Sequence, residues 1–386
     1  MNKRVALAVL CTIILASGAI AQPPLTLAEL YPKDARSMGM GGSFRSLASG
    51  YQAFFGNPAG FSGPATLTFA DLSAWGYFRP NPSTIQDLAA IAQGDLASAD
   101  AKARLGDIIA KNGLGAGSSF GLGWSGKGFG LGLNFVSDSL ATGTDYDDAL
   151  TLVRNQANAI VGIALPLELG PFAFNLGIDV RAFYRLDSGS AWPFAALADA
   201  FIDGSGFNSR IGSLPLSGGF GLAVDSGAIL ALGPFSAGVM IRDYGYEFSM
   251  GDTTVGDLAD TLELPPGGDS SYRLVPHYAV GMGLSFKTSK AVGLSFSVES
   301  DDPRKFAELA QSDFGASLET LHSGVQIELL KIVALRGGYN QGLLSFGLGL
   351  DLALIEIDAA IFSEPLADLS GSPSRSGLAI QAALRF

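Results

Sequence analysis

The chain carries few residues of the types that do chemistry. Two histidines, His277 and His322, and one cysteine, Cys11, stand among 386 residues. Gly117-Ser118-Ser119-Phe120-Gly121 has the G-x-S-x-G spacing of a nucleophile elbow, where a serine sits on a sharp turn between strand and helix. Here the stretch begins a strand pattern and no helix follows, which counts against a Ser–His lipase. Gly39-Met40-Gly41-Gly42 resembles part of a dinucleotide fingerprint. Phe44 takes the place of the third glycine, no strand precedes it, and no Lys-Ser/Thr pair completes a phosphate loop. Two histidines without cysteine partners make no zinc ligand set, so neither metal nor cofactor is expected. Arg181, Arg185, Arg242, Arg336 and Arg385 fall at or near strand positions that alternate with apolar ones. A guanidinium matches a carboxylate bidentately, so these are candidate contacts for an acidic ligand group. Asp179, Glu328, Glu356 and Asp358 are their competing partners. Asp351, Glu356 and Asp358 lie on two neighbouring strands and read as polar lining rather than as an acid–base pair.

The elements that would position these groups begin with an export signal. Lys3 and Arg4 precede an apolar run over 5–20, and Ala19-Ile20-Ala21 offers a small-residue cleavage site. Residues 1–21 therefore read as a signal peptide. Cys11 lies inside it, so the exported chain has no thiol. The formal charge of −12 becomes −14 once Lys3 and Arg4 are lost, which argues against a nucleic-acid partner. Glycine occurs 51 times, about twice its usual share. Beyond residue 21 no apolar run is long enough for a spanning helix.

The apolar residues are instead dispersed on alternate positions. Leu344, Phe346, Leu348, Leu350 and Leu352 alternate with Ser345, Gly347, Gly349 and Asp351. Phe172, Phe174, Leu176, Ile178 and Val180 alternate with Ala173, Asn175, Gly177 and Asp179, and the C-terminus from Gly377 to Phe386 repeats the pattern. Period two over ten residues is strand with one apolar face, the length of a tilted membrane-spanning strand. The glycines of the other face leave room inside a barrel. The pattern predicts an all-β fold, a 14-stranded antiparallel transmembrane β-barrel over 64–386. Its strands fall near 64–79, 117–125, 128–138, 156–167, 170–185, 213–225, 229–244, 273–287, 290–301, 317–329, 331–340, 342–351, 353–363 and 375–386. Tight turns alternate with mostly long loops at 80–116, 139–155, 186–212, 245–272, 302–316 and 364–374. That asymmetry puts both termini in the periplasm. In the first strand Leu67 and Phe69 differ in parity from Leu72 and Ala74, which predicts a bulge near Ala70-Asp71. Outer stretches 83–111, 193–203, 256–266 and 303–311 have helical spacing. In one of them Phe194, Leu197 and Phe201 form a stripe suited to capturing an apolar ligand or to packing on the rim.

Residues 22–63 fit neither strand nor stable helix. Glycine there permits positive φ and close approach to a wall, while Met38, Met40, Phe44, Phe54, Phe55 and Phe61 supply adaptable apolar surface. Irregular backbone at membrane depth is tolerated only inside protein or beside water, so this is the composition of a plug. Asn57 before Pro58 starts a turn, and its amide is placed to bond backbone of plug or wall.

The stretch DARSMGMGGSFRSLASGYQAFFGNPAGFS, with Asn57-Pro58-Ala59-Gly60 just before the first strand, resembles the N-terminal region of FadL-type outer-membrane transporters of long-chain fatty acids and other hydrophobic compounds. The strand count, the terminal Phe386 and the segment LRGGYNQGLLSFGLGLDLALIEIDAAIFSE are similar to a divergent branch of that family. The resemblance implies an N-terminal hatch folded in the lumen, ligand binding there by Met38, Gly39, Met40, Gly41, Gly42, Phe44, Phe54, Phe55, Asn57, Pro58 and Phe61, and sideways exit into the membrane near a kinked strand. The expected role is passive uptake of a hydrophobic, fatty-acid-like small molecule by an outer-membrane monomer that has membrane lipid as its other partner. A secretion-associated scaffold barrel for protein partners and an outer-membrane lipase are the alternatives.

Overall fold

The computed structural model describes residues 24–365 and 374–386, apart from Glu29, Leu96, 204–210, Asp269 and Lys290. The expected signal peptide and most of the 364–374 loop lie outside the described residues.

Fourteen strands close into one antiparallel barrel: β1 (Thr66–Tyr77), β2 (Leu114–Gly126), β3 (Phe129–Thr142), β4 (Leu150–Leu169), β5 (Phe172–Ser188), β6 (Pro215–Leu232), β7 (Phe235–Gly245), β8 (His277–Lys287), β9 (Val292–Ser300), β10 (Leu321–Leu329), β11 (Val333–Asn340), β12 (Leu343–Asp351), β13 (Ile355–Glu364) and β14 (Arg375–Arg385). Each pairs with the next, and β14 returns to β1 with Gly377 opposite Tyr77 and Ala383 opposite Asp71. Closure removes the exposed edges that an open sheet would offer. In β3, Phe129, Leu131, Leu133 and Phe135 are exposed while Gly130, Gly132, Asn134 and Val136 are buried. The other strands repeat this alternation, apolar outward and small or polar inward, as a lipid-solvated barrel requires. Among the described residues no helix is long and apolar enough to cross a membrane.

The bulge expected in the first strand is present. Ala70 pairs with Leu384 and Thr68 with Arg385, which leaves Phe69 without a partner. The extra residue restores parity, so Leu67, Phe69 and Leu72 all face outward, 41%, 65% and 52% exposed.

Other boundaries differ from the sequence pattern. A turn was expected between strands ending at 225 and starting at 229. Instead β6 runs on to Leu232 and the chain turns at Gly233-Pro234. Gly227 is a strand residue that gives up its side chain to a neighbour described below. β4 starts at Leu150 rather than 156, so the loop before it shrinks to 143–149. The connection over 246–276, expected to be irregular with a helix, also contains two strands, Phe248–Thr254 and Ser270–Leu274.

Besides α1 (Ala35–Gly39) in the N-terminal segment, helices occupy the outer connections: α2 (Pro82–Gln93), α3 (Ala99–Asn112), α4 (Phe194–Asp203), α5 (Val255–Thr261), α6 (Pro303–Ser312) and α7 (Phe314–Leu318). Asn81, Ser98, Thr254, Asp302 and Asp313 each cap one by accepting a backbone N–H. The last helix takes 317–318, which the pattern gave to β10.

Residues 24–63 touch all fourteen strands. α1 meets β11–β14, 45–47 meet β6–β8, and 50–62 meet β1–β6, while Ser43 and Gly41 reach β9 and β10 through Ser297 and His322. Only a segment inside a closed ring has that set of neighbours.

The corrected β6–β7 turn predicts a labelling pattern. Pro234→Cys should react with a membrane-impermeant maleimide once the periplasm is opened, whereas Ser226→Cys, on a strand, should stay unreactive in intact membranes. Strong labelling at 226 would restore the shorter strand.

Candidate functional site

The lumen site is built from the N-terminal segment and the wall it leans on. Asp34 starts the segment's single α-helical turn, its carboxylate accepting from Ser37 N at 2.9 Å and Ser37 Oγ at 2.6 Å. This sets Gly39 against the backbone of Gly347, closer than a Cβ would allow, and leads to Gly41 and Gly42, both at positive φ. Gly41 O then meets His322 Nδ1 at 3.0 Å. On its other side His322 contacts Asp301, whose carboxyl burial would raise; the hydrogen bond and charge of His322, with Arg45 and His277, outweigh burial and hold it well below the usual carboxylate range. Ser46 N and Oγ donate to Glu299 at 2.6 and 2.5 Å.

The aromatic residues form one cluster. Tyr51 meets Phe54 and Phe55 edge-on, each at 5.6 Å, and Phe54 meets Phe61 at 5.1 Å. The ring of Phe54 lies where a side chain at Gly132 of β3 would be. Met38 packs beside Trp75, Tyr77 and Phe362, Met40 is buried, and Phe44 lines a small serine-rich hollow with Ser236, Ser285, Ser295 and Ser297.

Asn57 is the polar centre. It is 0% exposed. Its amide nitrogen faces Ser46 O at 2.8 Å, Ala228 O at 3.1 Å and Val239 O at 3.0 Å, while its oxygen accepts from Ala59 N at 3.0 Å. Ala228 and Val239 are opposite residues of β6 and β7. One side chain therefore joins segment and wall at the β6–β7 seam, and Gly227 leaves the space: a Cβ there would overlap Asn57 Oδ1. Pro58 and Ala59 press on Gly177 in the same way.

Of the arginines singled out by sequence, Arg181, Arg185, Arg242 and Arg336 are buried and Arg385 is half-buried, and all five lie against carboxylates, the alternative to an acidic ligand. Arg181 pairs with Asp225 and Asp243; Arg242 faces Asp225 at 3.6 Å and donates to Phe54 O at 3.0 Å. Arg185 pairs with Asp187 at 2.6 Å and reaches Gln156. Arg336 pairs with Asp358, and Arg385 with Glu356 and Asp71. A buried ion that loses its partner is strongly destabilising, so removing one member of a pair costs more than the pair itself contributes. In the outer stripe, Phe194 packs edge-on against Tyr146 at 5.5 Å and Leu197 is half-buried, while the side chain of Phe201 lies outside the described residues. Ser119 stands opposite Ser73 and Val136 in the ladder, and both histidines are engaged elsewhere, His277 with Arg45 and His322 as above. No Ser–His pair forms between them. Among the described residues no cluster of three or more metal-ligating side chains occurs.

Two features were not foreseen. Asp138 accepts from Trp75, Tyr77 and Arg154, at 2.8, 2.8 and 2.9 Å, and so orders the β1–β3–β4 wall. Its polar parity within the third strand was the signal available. The second is a break in the ladder. β7 pairs with β6 only from Gly245–Ala223 downward, and Phe248–Thr254 rejoins β6 at 215–218. Residues 219–222 of β6 have no partner on that side. An apolar cavity of about 880 Å³ opens there, from outward-facing Phe120, Leu133, Phe220 and Leu222 to buried Phe183 and Phe248. Glu247 is its one charged lining residue, and no cation lines it. A second apolar cavity, about 770 Å³, lies lower on the same seam over Gly177, Gly227, Ala228 and Val239, behind Asn57.

The sequence matches no protein-family profile and no curated protein. Solved structures with a similar arrangement include the Pseudomonas putida toluene transporter TodX, at 12% identity and a TM-score of 0.43 over 94% of this chain and 98% of that one. A Pseudomonas aeruginosa FadL homologue matches at 11% identity and 0.43, over 92% and 99%. The CymD monoaromatic hydrocarbon channel matches at 10% and 0.47, over 91% and 96%.

Replacing Asn57 with Ala should leave the barrel closed while loosening the segment by about 1–3 kcal/mol, the usual result of stranding buried partners. Conductance in planar bilayers should rise above wild type. Unchanged conductance in a folded barrel would remove Asn57 from the seal.

Proposed function

We propose that the protein is an outer-membrane channel for passive uptake of uncharged hydrophobic small molecules, in which residues 22–63 act as a hatch. The supporting observation is the apolar cavity beside 219–222, which opens on the lipid-facing surface and counts the inward residues Phe183 and Phe248 in its lining. A molecule of low polarity gains by leaving water at such a place and gains again on reaching acyl chains. The hatch keeps the lumen shut to polar solutes while Asn57 closes the seam below. The hollow on its periplasmic side is small, about 200 Å³, against about 880 Å³ at the ladder break, so departure is assigned sideways, through the wall between β6 and β7.

The same cavity bears on the charge of the cargo. A fatty-acid carboxylate needs a cation, and the five candidate arginines are already bonded to aspartate or glutamate. Glu247 at the cavity would repel an anion. A neutral hydrocarbon-like compound therefore fits better than the fatty acid implied by the family resemblance.

Membrane fractionation should place the protein in the outer membrane as a heat-modifiable band; a soluble periplasmic product would sink the proposal. In cells, uptake of a labelled neutral aromatic should exceed that of a labelled long-chain fatty acid. Ala182→Trp, which fills the cavity from its outward face, should cut the neutral uptake about tenfold, corresponding to ~1.4 kcal/mol. Preferred uptake of the acid, or full uptake by the filled variant, would overturn the choice of cargo or of route.

A further inference from the structure

The N-terminal segment extends beyond the plug to the outer end of the barrel. Leu25–Leu27 form a three-residue strand pairing in parallel with Ser270–Leu274 of the outer connection, Leu25 opposite Tyr272, Thr26 opposite Arg273 and Leu27 opposite Leu274. Val275 N donates to Leu27 O at 3.3 Å. The other edge of Ser270–Leu274 pairs with 248–250, and that strand continues into the wall by pairing 251–254 with 215–218 of β6. The outer connection is thus hinged on β6 and carries the start of the chain on its far edge.

Three apolar clusters meet within five residues of this strand. Leu27 packs on Phe183, Phe248 and Leu274, the outer-loop cluster. Leu30 is buried with Ala35, Trp75 and Phe362, and Tyr31 packs on the Tyr51–Phe54–Phe61 cluster of the plug. Tyr31 is also covered by the guanidinium groups of Arg45 and Arg242, at 4.1 and 4.9 Å. Phe183 and Phe248, 5.1 Å apart, belong to both the outer-loop cluster and the cavity at the ladder break.

The geometry points to a strap: Leu25–Leu27 transmits entry of an apolar molecule at Phe183 and Phe248 to the plug, because a molecule that parts those rings undermines the packing that holds Leu27 on the outer-loop strand. The inference rests on the channel reading above. A three-residue ladder is the kind of element that opens at low cost, since local opening tracks the number of buried contacts and hydrogen bonds holding it. With the strap seated, Leu30 and Tyr31 cannot shift without pulling on the outer loop. With it released, Tyr31 and the cluster below are free to follow the cargo.

The exported part of the chain has no cysteine, since Cys11 lies in residues 1–21. Thr26→Cys with Arg273→Cys puts a disulfide across directly opposed positions on the face away from Leu27. Ser217→Cys with Asp252→Cys, also opposed, pins the outer loop to β6 without touching the strap. Hydrogen exchange of amides 44–62 is read in the full-length protein, alongside uptake of the labelled neutral aromatic. The oxidised strap pair should slow plug exchange about tenfold, equivalent to ~1.4 kcal/mol, and lower uptake by a similar factor, both reversed by reductant. The control pair should leave plug exchange unchanged. Leu27→Asp should speed plug exchange, and it decides the matter if the disulfide variant fails to fold. Plug exchange that ignores both the disulfide and Leu27→Asp overturns the strap. If exchange responds but wild type carries no neutral compound, the strap stands and the channel reading falls. If wild type carries the compound and the locked form does so equally, with exchange unaltered, the strap falls and the channel reading stands.

Discussion

A closed ladder that encloses an irregular peptide has to satisfy that peptide's backbone without water, and this requirement organises the molecule. Fourteen strands use their own N–H and C=O groups in pairing, so little is left over for a segment inside. The protein meets the need with side chains placed at a few points. Asp34 holds the first turn, Glu299 takes Ser46, and Asn57 bridges three carbonyls at the β6–β7 seam. The wall yields space in return, by omitting a Cβ at Gly227 beneath Asn57 and at Gly132 beneath Phe54. Plug and wall are therefore complementary in shape as well as in hydrogen bonding.

Electrostatics follows from the same enclosure. Arg181, Arg242, Asp179, Asp225 and Asp243 are nearly inaccessible and crowd the seam next to Asn57. Arg181 faces Asp225 and Asp243, Arg242 faces Asp225, and Asp225 accepts from Asp243 N at the bulge of β7, where Asp243 adopts positive φ. The ladder loses register at that bulge and, a few residues on, stops pairing with β6 altogether. A rigid charged knot thus sits between the two apolar openings of the seam, one above it and one below.

Much of this was legible in sequence because period-two alternation is a direct image of a two-faced wall. Strand number and the β1 bulge, from the parity of Leu67 and Leu72, could be read that way, and the outer helices from their own spacing. The misplaced β6–β7 turn has a physical reason: β6 stays extended through Gly227, whose missing side chain answers to Asn57, 170 positions earlier in the chain. The arginines were legible as inward residues, and so were Asp358 and Glu356, the partners of Arg336 and Arg385; Asp225 and Asp243 were not, since they meet Arg181 only through strand register. The ladder break left no local mark, because Gly219 to Leu222 alternate like any strand and lack only a neighbour. Leu25–Leu27 is too short to show a period at all.

The position of the enclosed segment also fixes an order of events in biogenesis. It runs directly into β1, and β1 is joined to β14, the last strand made, by the pairing that shuts the ring. A chain of this topology can gather residues 24–63 among the earlier strands before that final seam zips, because the segment precedes every wall strand in sequence. The seam with the greatest separation in sequence is then the slowest to form. Once formed, it leaves the N-terminal segment tied to β1 within a closed ring, so the segment can leave the lumen only through an end of the cylinder and never far from the wall that holds it.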